Sequence, residues 1–237
     1  MKKQEITSKK GFKPETIRNI VNSLVTLKKD YLARLENGEN VKLVISSGNK
    51  KIGQCMNVSL APIITCGNCK NCQYFCYDVK ACCQYTNVRI ARAKNTALFL
   101  FSRDEFFRQL WERMSRKKTN KFLRFHVSGE IIDIDHFSRM VETARKFPEF
   151  TIWTYTKMYH IVNEWIRENG SLPENFHVMF SEWIGLPIVN PYGMPVFRCV
   201  ESETEAPGIA LCPGDCNVCK KHHCGCVAGQ SRKVVLH

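Results

Sequence analysis

The residues with the clearest potential for chemistry are the cysteines, which number 13 in a chain of 237 residues. Nine of them fall into two groups with short gaps. The first cysteine cluster comprises Cys66, Cys69, Cys72 and Cys76, and the second cysteine cluster comprises Cys212, Cys216, Cys219, Cys224 and Cys226. Closely spaced thiolates bind zinc or iron–sulfur clusters where thiols are kept reduced. Both clusters are therefore predicted to bind metal rather than to form disulfides.

The spacing within each cluster limits the kinds of metal centre that it could form, but it does not identify the metal. The first cluster has the spacing C-x2-C-x2-C-x3-C, which bacterial ferredoxins use for a cubane 4Fe-4S cluster, but zinc sites also use C-x2-C. The second cluster begins C-x3-C-x2-C and contains His222 and His223, which favour zinc there. A solvated basic turn with Lys220 and Lys221 explains those two histidines equally well.

Polar residues follow three predicted strands, at 122–127, 150–156 and 175–181. The segments 134–147 and 158–169 between them have the apolar period of helices. Strands that alternate with helices predict a parallel sheet, whose carboxyl ends meet at one edge. We therefore expect the residues that end these strands to lie at one edge, together with both cysteine clusters: Ser128, Gly129, Glu130, Lys157 and Glu182.

Three of the residues near these strand ends are candidates for catalysis, namely His126, Glu130 and Lys157. In a strand, His126 would share a face with Arg124 and Ser128. The nearby acidic residues Asp133 and Asp135 suit the start of a helix, where negative charge is favourable. The alternative is a carboxylate–histidine site that binds a divalent metal and cuts nucleic acid, with Glu130, His126 and His136 as further members.

The rest of the chain supplies the elements that must position these residues. The sequence predicts a helix over 14–36, a strand over 41–46 with a turn at Gly48-Asn49, a strand over 56–60, and helices from 80 to 118 that break near Ser102. No clear helix is predicted over 185–215. The predicted organisation is an N-terminal helix and strand region, 1–54, and an α/β domain, 55–237, with metal-binding loops at 66–83 and 212–226.

The formal net charge is +13, and the excess is concentrated in two segments. Residues 1–51 carry 12 basic and 5 acidic side chains, and residues 89–121 carry 10 and 3. Such segments can bind nucleic acid, although solvated helix faces explain them as well. No apolar run is long enough to cross a membrane, and the first residues lack the apolar core of a signal peptide. A cytoplasmic location without a membrane partner is expected.

Two short motifs resemble the radical S-adenosylmethionine half-barrel. Phe75-Cys76-Tyr77 resembles the end of its cysteine loop, and the segment 125–130 resembles its second strand and Gly-Gly-Glu turn. The resemblance implies a partial (β/α) barrel, a 4Fe-4S cluster on three loop cysteines, and S-adenosylmethionine bound by Ser128, Gly129 and Glu130. That family spaces its cysteines C-x3-C-x2-C, an order found here at Cys212–Cys219 and not in the first cluster.

A closer resemblance, over about residues 55–226, is to the gene product 88 family of phages and mobile elements. Its members pair a cysteine-rich loop with an R-x-H-x-S-G-acid strand, a Tyr-Thr-Lys strand end and C-terminal cysteines. Residues 124–130 and 155–157 are similar to the two strand motifs. The chain is thus expected to be a phage or mobile-element metal-cluster protein. The alternatives are a zinc-bearing nucleic-acid-binding or processing protein, and a structural metalloprotein without catalysis.

Overall fold

The computed structural model describes residues 11–67 and 69–235, so the first ten residues of the basic segment 1–51 lie outside it. Within these described residues, the chain forms seven α-helices and seven strands. The helices are α1 (Pro14–Glu36), α2 (Tyr77–Gln84), α3 (Thr86–Phe101), α4 (Arg103–Ser115), α5 (Ile134–Lys146), α6 (Tyr159–Asn169) and α7 (Cys216–His222). The strands are β1 (Ser46–Asn49), β2 (Gly53–Val58), β3 (Phe122–Phe125), β4 (Thr151–Thr156), β5 (Phe176–Glu182), β6 (Val196–Val200) and β7 (Arg232–Val235). Short 3-10 helices span Lys70–Phe75 and Gly225–Ala228.

All seven strands belong to one sheet, in the order in which they occur in the chain. β1 is antiparallel to β2, and every later neighbour is parallel. β1 and β7 are the free edges, so the sheet is open. The protein therefore has a mixed α/β fold with a mostly parallel sheet, as the alternation of strands and helices predicted.

The two faces of the sheet have different partners. Apolar side chains of β2 to β5 such as Val58, Leu123 and Phe180 pack with α3, α4, α5 and α6 in the main core. The alternate side chains of the same strands, such as Trp153 and Met179, pack with cysteines of the C-terminal segment. Helices thus cover one face, which we call the helix face, and the second cysteine cluster covers the other, which we call the inner face.

Several predicted elements are confirmed. The helix over 14–36 is α1, and the strands predicted at 122–127, 150–156 and 175–181 are the neighbouring parallel strands β3, β4 and β5. The break near Ser102 separates α3 from α4, because the Ser102 hydroxyl accepts a hydrogen bond from Glu105 N. Asp133 caps α5 by accepting from His136 N at 2.9 Å. No described helix combines the length and the apolar character needed to span a bilayer.

The strand predicted over 41–46 is wrong, and so is the turn at Gly48-Asn49. Residues 41–45 are not a strand, because side chains of the helices satisfy their backbone: Asn95 Oδ1 accepts from Val44 N at 2.8 Å, and Gln109 Oε1 accepts from Leu43 N at 2.7 Å. β1 starts at Ser46, and the hairpin turn lies at 50–52.

The long segment predicted to lack helix does lack it, but it contains the strand β6 at Val196–Val200. β7 near the C-terminus was also not predicted. These strands extend the sheet beyond β5, and most of their side chains are half-buried rather than alternately buried and exposed.

Candidate functional site

The first cysteine cluster lies at the carboxyl edge of the sheet, in the loop that follows β2. The turn that follows β3 contacts this loop directly, because Leu60 N donates to Ser128 O at 3.0 Å and the Tyr77 hydroxyl donates to Val127 O. A Cβ on Gly129 would lie 2.7 Å from Leu60 Cβ, so only glycine allows this approach. The predicted association of the loop with the Ser128-Gly129-Glu130 turn is confirmed.

Two thiols of the first cluster face each other. Cys69 Sγ and Cys72 Sγ are 3.9 Å apart. Hydrogen bonding to Cys66 and Cys72 raises the pKa of Cys69, whereas the hydrogen bond with Cys69 lowers the pKa of Cys72, an effect that the positive charge of Lys157 supports. Cys72 is the thiol of this pair that ionises more readily, which suits a metal ligand.

Cys76 is held at the start of α2. Burial raises the pKa of its thiol to about 12, while hydrogen bonds from the backbone amides of Val79 and Asp78 act in the opposite direction. α2 is fixed to α3 by Asp78, which is 2% exposed and pairs with Arg92 at 3.0 Å. This buried ion pair therefore helps to position Cys76.

Glu130 and Lys157 meet beside the first cluster. The Glu130 carboxylate is 7% exposed and accepts hydrogen bonds from Thr156 Oγ1 at 2.8 Å and from Lys157 N at 3.0 Å. Burial raises the pKa of Glu130 in spite of these bonds. Burial alone would lower the pKa of Lys157, but the Cys72 thiol and Glu130 outweigh it and the pKa is raised. The edge thus joins a carboxylate and a cation to the cysteine loop.

The third predicted strand end also reaches this edge. Glu182 ends β5 and forms an ion pair with Arg198 of β6. The Lys157 ammonium lies over the ring of Trp183 at 5.9 Å from its centroid. A cavity of about 290 Å³ adjoins the loop, and its walls include Lys28, Cys66, Gly67, Ile131 and Met158.

His126 does not share a face with Arg124, so that prediction is wrong. β3 ends at Phe125, and His126 has a φ of 55°, which turns its side chain to the helix face. There His126 Nε2 lies 3.2 Å from His136 Nε2, and both rings are buried. Ile132 N donates to His136 Nδ1, so His136 donates from Nε2 and the Nδ1–H of His126 has no partner among the described residues. Burial lowers the pKa of His126 to about 3.

The second cysteine cluster does not return to the carboxyl edge, contrary to expectation. Cys216 N donates to Lys51 O at 2.8 Å, and Lys220 Nζ donates to Ile52 O and Gln54 O, all at the beginning of β2. The chain is directed there by β7, since Cys212 N bonds to Lys233 O. The two clusters therefore approach the sheet from different sides.

Arg124 and Tyr155 connect the second cluster to the sheet. The Arg124 guanidinium lies over the Tyr155 ring, 4.6 Å from its centroid. Burial raises the pKa of Cys226 to about 11, while its hydrogen bond with Tyr155 and the charge of Arg124 act to lower it. Arg124 also acts to lower the pKa of Cys216, which burial raises.

Sequence reasoning treated Arg124 and Tyr155 only as motif members and did not place them at the second cluster. Their alternate positions on neighbouring strands were the available signal, because both must face away from the helices. Among the residues that the structure describes, no three His, Cys, Asp or Glu side chains already form a metal-binding group.

The fold and these two loops define a class: mixed α/β proteins whose open, mostly parallel sheet carries one cysteine-rich loop at its carboxyl edge and a second on its inner face. Within that class, the chain belongs to the gene product 88 family, whose profile matches residues 27–182. The matched part contains the first cysteine cluster and ends before the second. No curated protein and no solved structure matches the chain.

Proposed function

We propose that the chain is a metal-cluster protein in which the first cysteine cluster holds a 4Fe-4S cluster on a radical S-adenosylmethionine-like partial barrel. The observation that carries this proposal is the meeting of the Cys66–Cys76 loop with the Ser128-Gly129-Glu130 turn at one sheet edge. Had the loop lain at the opposite edge, no cofactor could join the cluster to the turn.

The winding of the sheet supports the partial barrel. The strands follow one another in sequential order, and α3 to α6 lie on one face of the sheet. This is the arrangement of (β/α) barrels, whereas doubly wound sheets reverse their strand order and carry helices on both faces. In a barrel the face opposite the long helices points inward, and here that face is covered by the second cluster with its short helix α7. The inner face here carries Arg124, Trp153 and Tyr155, closed over by the second cysteine cluster.

The residues at the carboxyl edge fit the proposed cofactors. Cys69, Cys72 and Cys76 supply thiolates, and Lys157 supplies positive charge next to a centre that thiolates make negative. Ser128 Oγ is buried and has no hydrogen-bond partner among the described residues, so it is available to a ligand. When bound, S-adenosylmethionine supplies radical chemistry. Glu130, fixed by Thr156 and Lys157 N, would orient it from a buried position.

A zinc site is the second candidate for the first cluster, and one distance favours it. The edge of a tetrahedral zinc–thiolate site measures about 3.8 Å, given zinc–sulfur bonds of about 2.3 Å. The Cys69–Cys72 separation of 3.9 Å matches that edge. Zinc would make this centre structural and would leave the protein as a nucleic-acid-binding protein or an adaptor.

The nucleic-acid alternative has less surface charge available than the sequence count indicates. Of the ten basic residues in 89–121, five pair with carboxylates within the chain: Arg92, Arg103, Arg108, Arg116 and Lys121. These pairs neutralise half of the positive charge of this segment. The iron–sulfur proposal is therefore preferred over nucleic-acid binding.

Serine substitution of Cys69, Cys72 and Cys76 tests the first centre. We expect the triple variant to lose the metal of this centre and to become insoluble, because metal-binding energy is also folding energy. Substitution of the exposed Cys83 by serine is the matched control and should change neither property. A soluble triple variant that keeps the metal content of the wild type would contradict the proposal.

A further inference from the structure

The cavity beside the first cysteine cluster has no role in the proposed function so far. Its volume is about 290 Å³. Parts of the chain that meet at the carboxyl edge form its walls: Lys28 of α1, Leu100 of α3, Cys66 of the first cluster, and Ile131 in the segment after β3. Small-molecule sites in proteins usually occupy about 300–1,000 Å³, so the cavity has room for a small ligand.

The walls of the cavity are largely apolar. The apolar side chains that line it are Ile64, Leu100, Ile131, Ile132 and Met158. Ile131 is fully buried, whereas Leu100 is 49% exposed and lies where the cavity opens to solvent. Apolar walls are costly to hydrate, so they favour the apolar part of a ligand over water.

The hydroxyl groups in the walls are already engaged. Thr65 Oγ1 donates to Ala61 O at 2.7 Å. Thr96 Oγ1 donates to Arg92 O at 2.8 Å. A hydroxyl has one proton to donate, and backbone carbonyls take both of these protons. The two threonines therefore fix the wall and do not donate to a ligand.

Lys28 is the charged side chain in the wall of the cavity. It is half-buried, and it forms no ion pair or hydrogen bond with the residues that the structure describes. Its aliphatic stem can lie along the apolar wall while its ammonium group offers a positive charge. A single ammonium group matches a carboxylate, with its one negative charge, better than a phosphate monoester with a charge of about −2.

Met158 connects the cavity to the first cluster. A Cβ on Gly67 would lie 2.8 Å from Met158 Cε, so this side chain packs against the backbone between Cys66 and Cys69. The thioether chain of methionine is flexible and adapts to different apolar shapes. A ligand held by the apolar walls would therefore lie beside the loop of the first cluster.

We propose that this cavity binds a small amphipathic monocarboxylate, whose carboxylate pairs with Lys28 and whose apolar chain packs against Ile131 and Met158. The inference rests on the proposed function in one respect: it makes this ligand the substrate of the metal centre at the carboxyl edge. Binding itself requires the cavity and Lys28, and it does not require a particular metal.

Isothermal titration calorimetry of the whole chain with octanoate tests this inference. We expect saturable binding of about one octanoate per chain, and about 10-fold weaker binding of octan-1-ol, which lacks the charge. Lys28→Gln should weaken octanoate binding about 10-fold, the equivalent of one charge-assisted hydrogen bond. The matched control is Lys29→Gln, which changes an exposed neighbour on α1 and should leave the affinity unchanged.

Two further comparisons test the apolar part of the site. The affinity should rise about 4-fold per methylene from butyrate to octanoate, because each methylene that enters the cavity leaves water. Leu100→Trp should narrow the opening and weaken octanoate binding. Phe101→Trp is its control, since Phe101 is equally exposed next to Leu100 at the end of α3.

Equal octanoate binding by Lys28→Gln and Lys29→Gln would overturn the inference. An affinity that does not depend on chain length would overturn it as well, and so would equal effects of Leu100→Trp and Phe101→Trp. The chain-length series uses the wild-type protein, so it decides the question even if a variant does not fold.

The inference and the proposed function fail in different ways. A brown, iron-containing protein that does not bind octanoate would overturn the inference and leave the metal centre in place. A colourless zinc protein that binds octanoate through Lys28 would keep the cavity as a carboxylate site and would contradict its role beside an iron–sulfur centre.

Discussion

At the scale of single residues, the carboxyl edge depends on side chains that are buried and tightly positioned. Glu130 connects the turn after β3 to the end of β4, and Gly129 allows that turn to touch the loop of the first cluster. Both residues belong to the motif that resembles a cofactor-binding turn. The same packing forms the edge at which the proposed cofactor would bind.

Gly129→Ala should damage this contact more than an ordinary glycine substitution does. Gly129 and Gly38 have nearly equal φ values of 82° and 80°, but a Cβ on Gly38 meets nothing within 4 Å. We expect Gly38→Ala to lower the free energy of unfolding by about 1–2 kcal/mol, the backbone cost alone. Gly129→Ala adds overpacking of about 1–3 kcal/mol and should also reduce metal binding at the first cluster.

Urea denaturation of the two variants measures this difference directly. Equal losses of stability in Gly129→Ala and Gly38→Ala would show that the turn does not press against Leu60 and the loop.

The buried pair His126 and His136 makes stability depend on pH. Burial depresses the pKa of His126 to about 3 and that of His136 well below its usual value. Both side chains are therefore neutral in the folded protein, and both become protonated in the unfolded chain below about pH 6.5. Unfolding then takes up protons, and stability falls as the pH decreases. We expect this pair to lower the free energy of unfolding by about 3 kcal/mol when the pH falls from 7.5 to 5.5.

The variant His126→Asn should lose about half of this pH dependence, measured as the difference in the free energy of unfolding between the two pH values. The same substitution at His160, which is exposed on α6, controls for the loss of an imidazole. A variant with the full pH dependence of the wild type would contradict this account of the buried pair.

At the scale of the elements, a buried asparagine is one of the two side chains that hold the segment between α1 and β1. Asn95 is fully buried on α3, and its amide bonds Val44 N, Val44 O and Ser59 O. Asn95→Ala should lower the free energy of unfolding by about 2–4 kcal/mol, since about three hydrogen bonds are lost and backbone groups remain unsatisfied. Asn22→Ala on the exposed side of α1 is the control, and a similar effect of both would contradict the role of Asn95.

The predictable elements were those whose pattern is set by local chemistry and by burial. α1 and α5 have clear periods and recognisable ends, such as the cap at Asp133, and β4 is an uninterrupted run of β-branched and aromatic residues. Residues 41–45 have the alternation of a strand, but Asn95 and Gln109 from distant helices take their hydrogen bonds. No local pattern can reveal such partners, and the same holds for β6, whose side chains are mostly half-buried.

The candidate site, like the fold, could be predicted only in part from the sequence. The rule that parallel strands share a carboxyl edge was sufficient to bring Glu130 and Lys157 to the first cysteine cluster. The position of His126 depended on a single positive φ after Phe125, which periodicity does not signal. The position of the second cluster depended on the hydrogen bond between Cys212 N and Lys233 O, and Lys233 belongs to β7, a strand that was not predicted.

At the scale of the whole molecule, one sheet separates two cysteine-rich regions with different surroundings. The first lies at the carboxyl edge beside Lys157, a cavity and the glycine turn, which is the position of a reactive centre in α/β folds. The second closes the inner face over Trp153 and Met179. The carboxyl edge is therefore the place for the proposed reactive centre, and the second cluster covers the inner face of the sheet.

The most direct test of this account is the absorption spectrum and metal content of the wild-type chain, purified without oxygen. An iron–sulfur cluster at the carboxyl edge predicts a brown protein with a broad band at about 400 nm and about four iron atoms per chain. The band should be kept in Cys216→Ser/Cys219→Ser and in the control Cys83→Ser, whereas Cys69→Ser/Cys72→Ser/Cys76→Ser should give no soluble brown protein. A colourless wild-type protein with stoichiometric zinc and no iron would contradict the central claim.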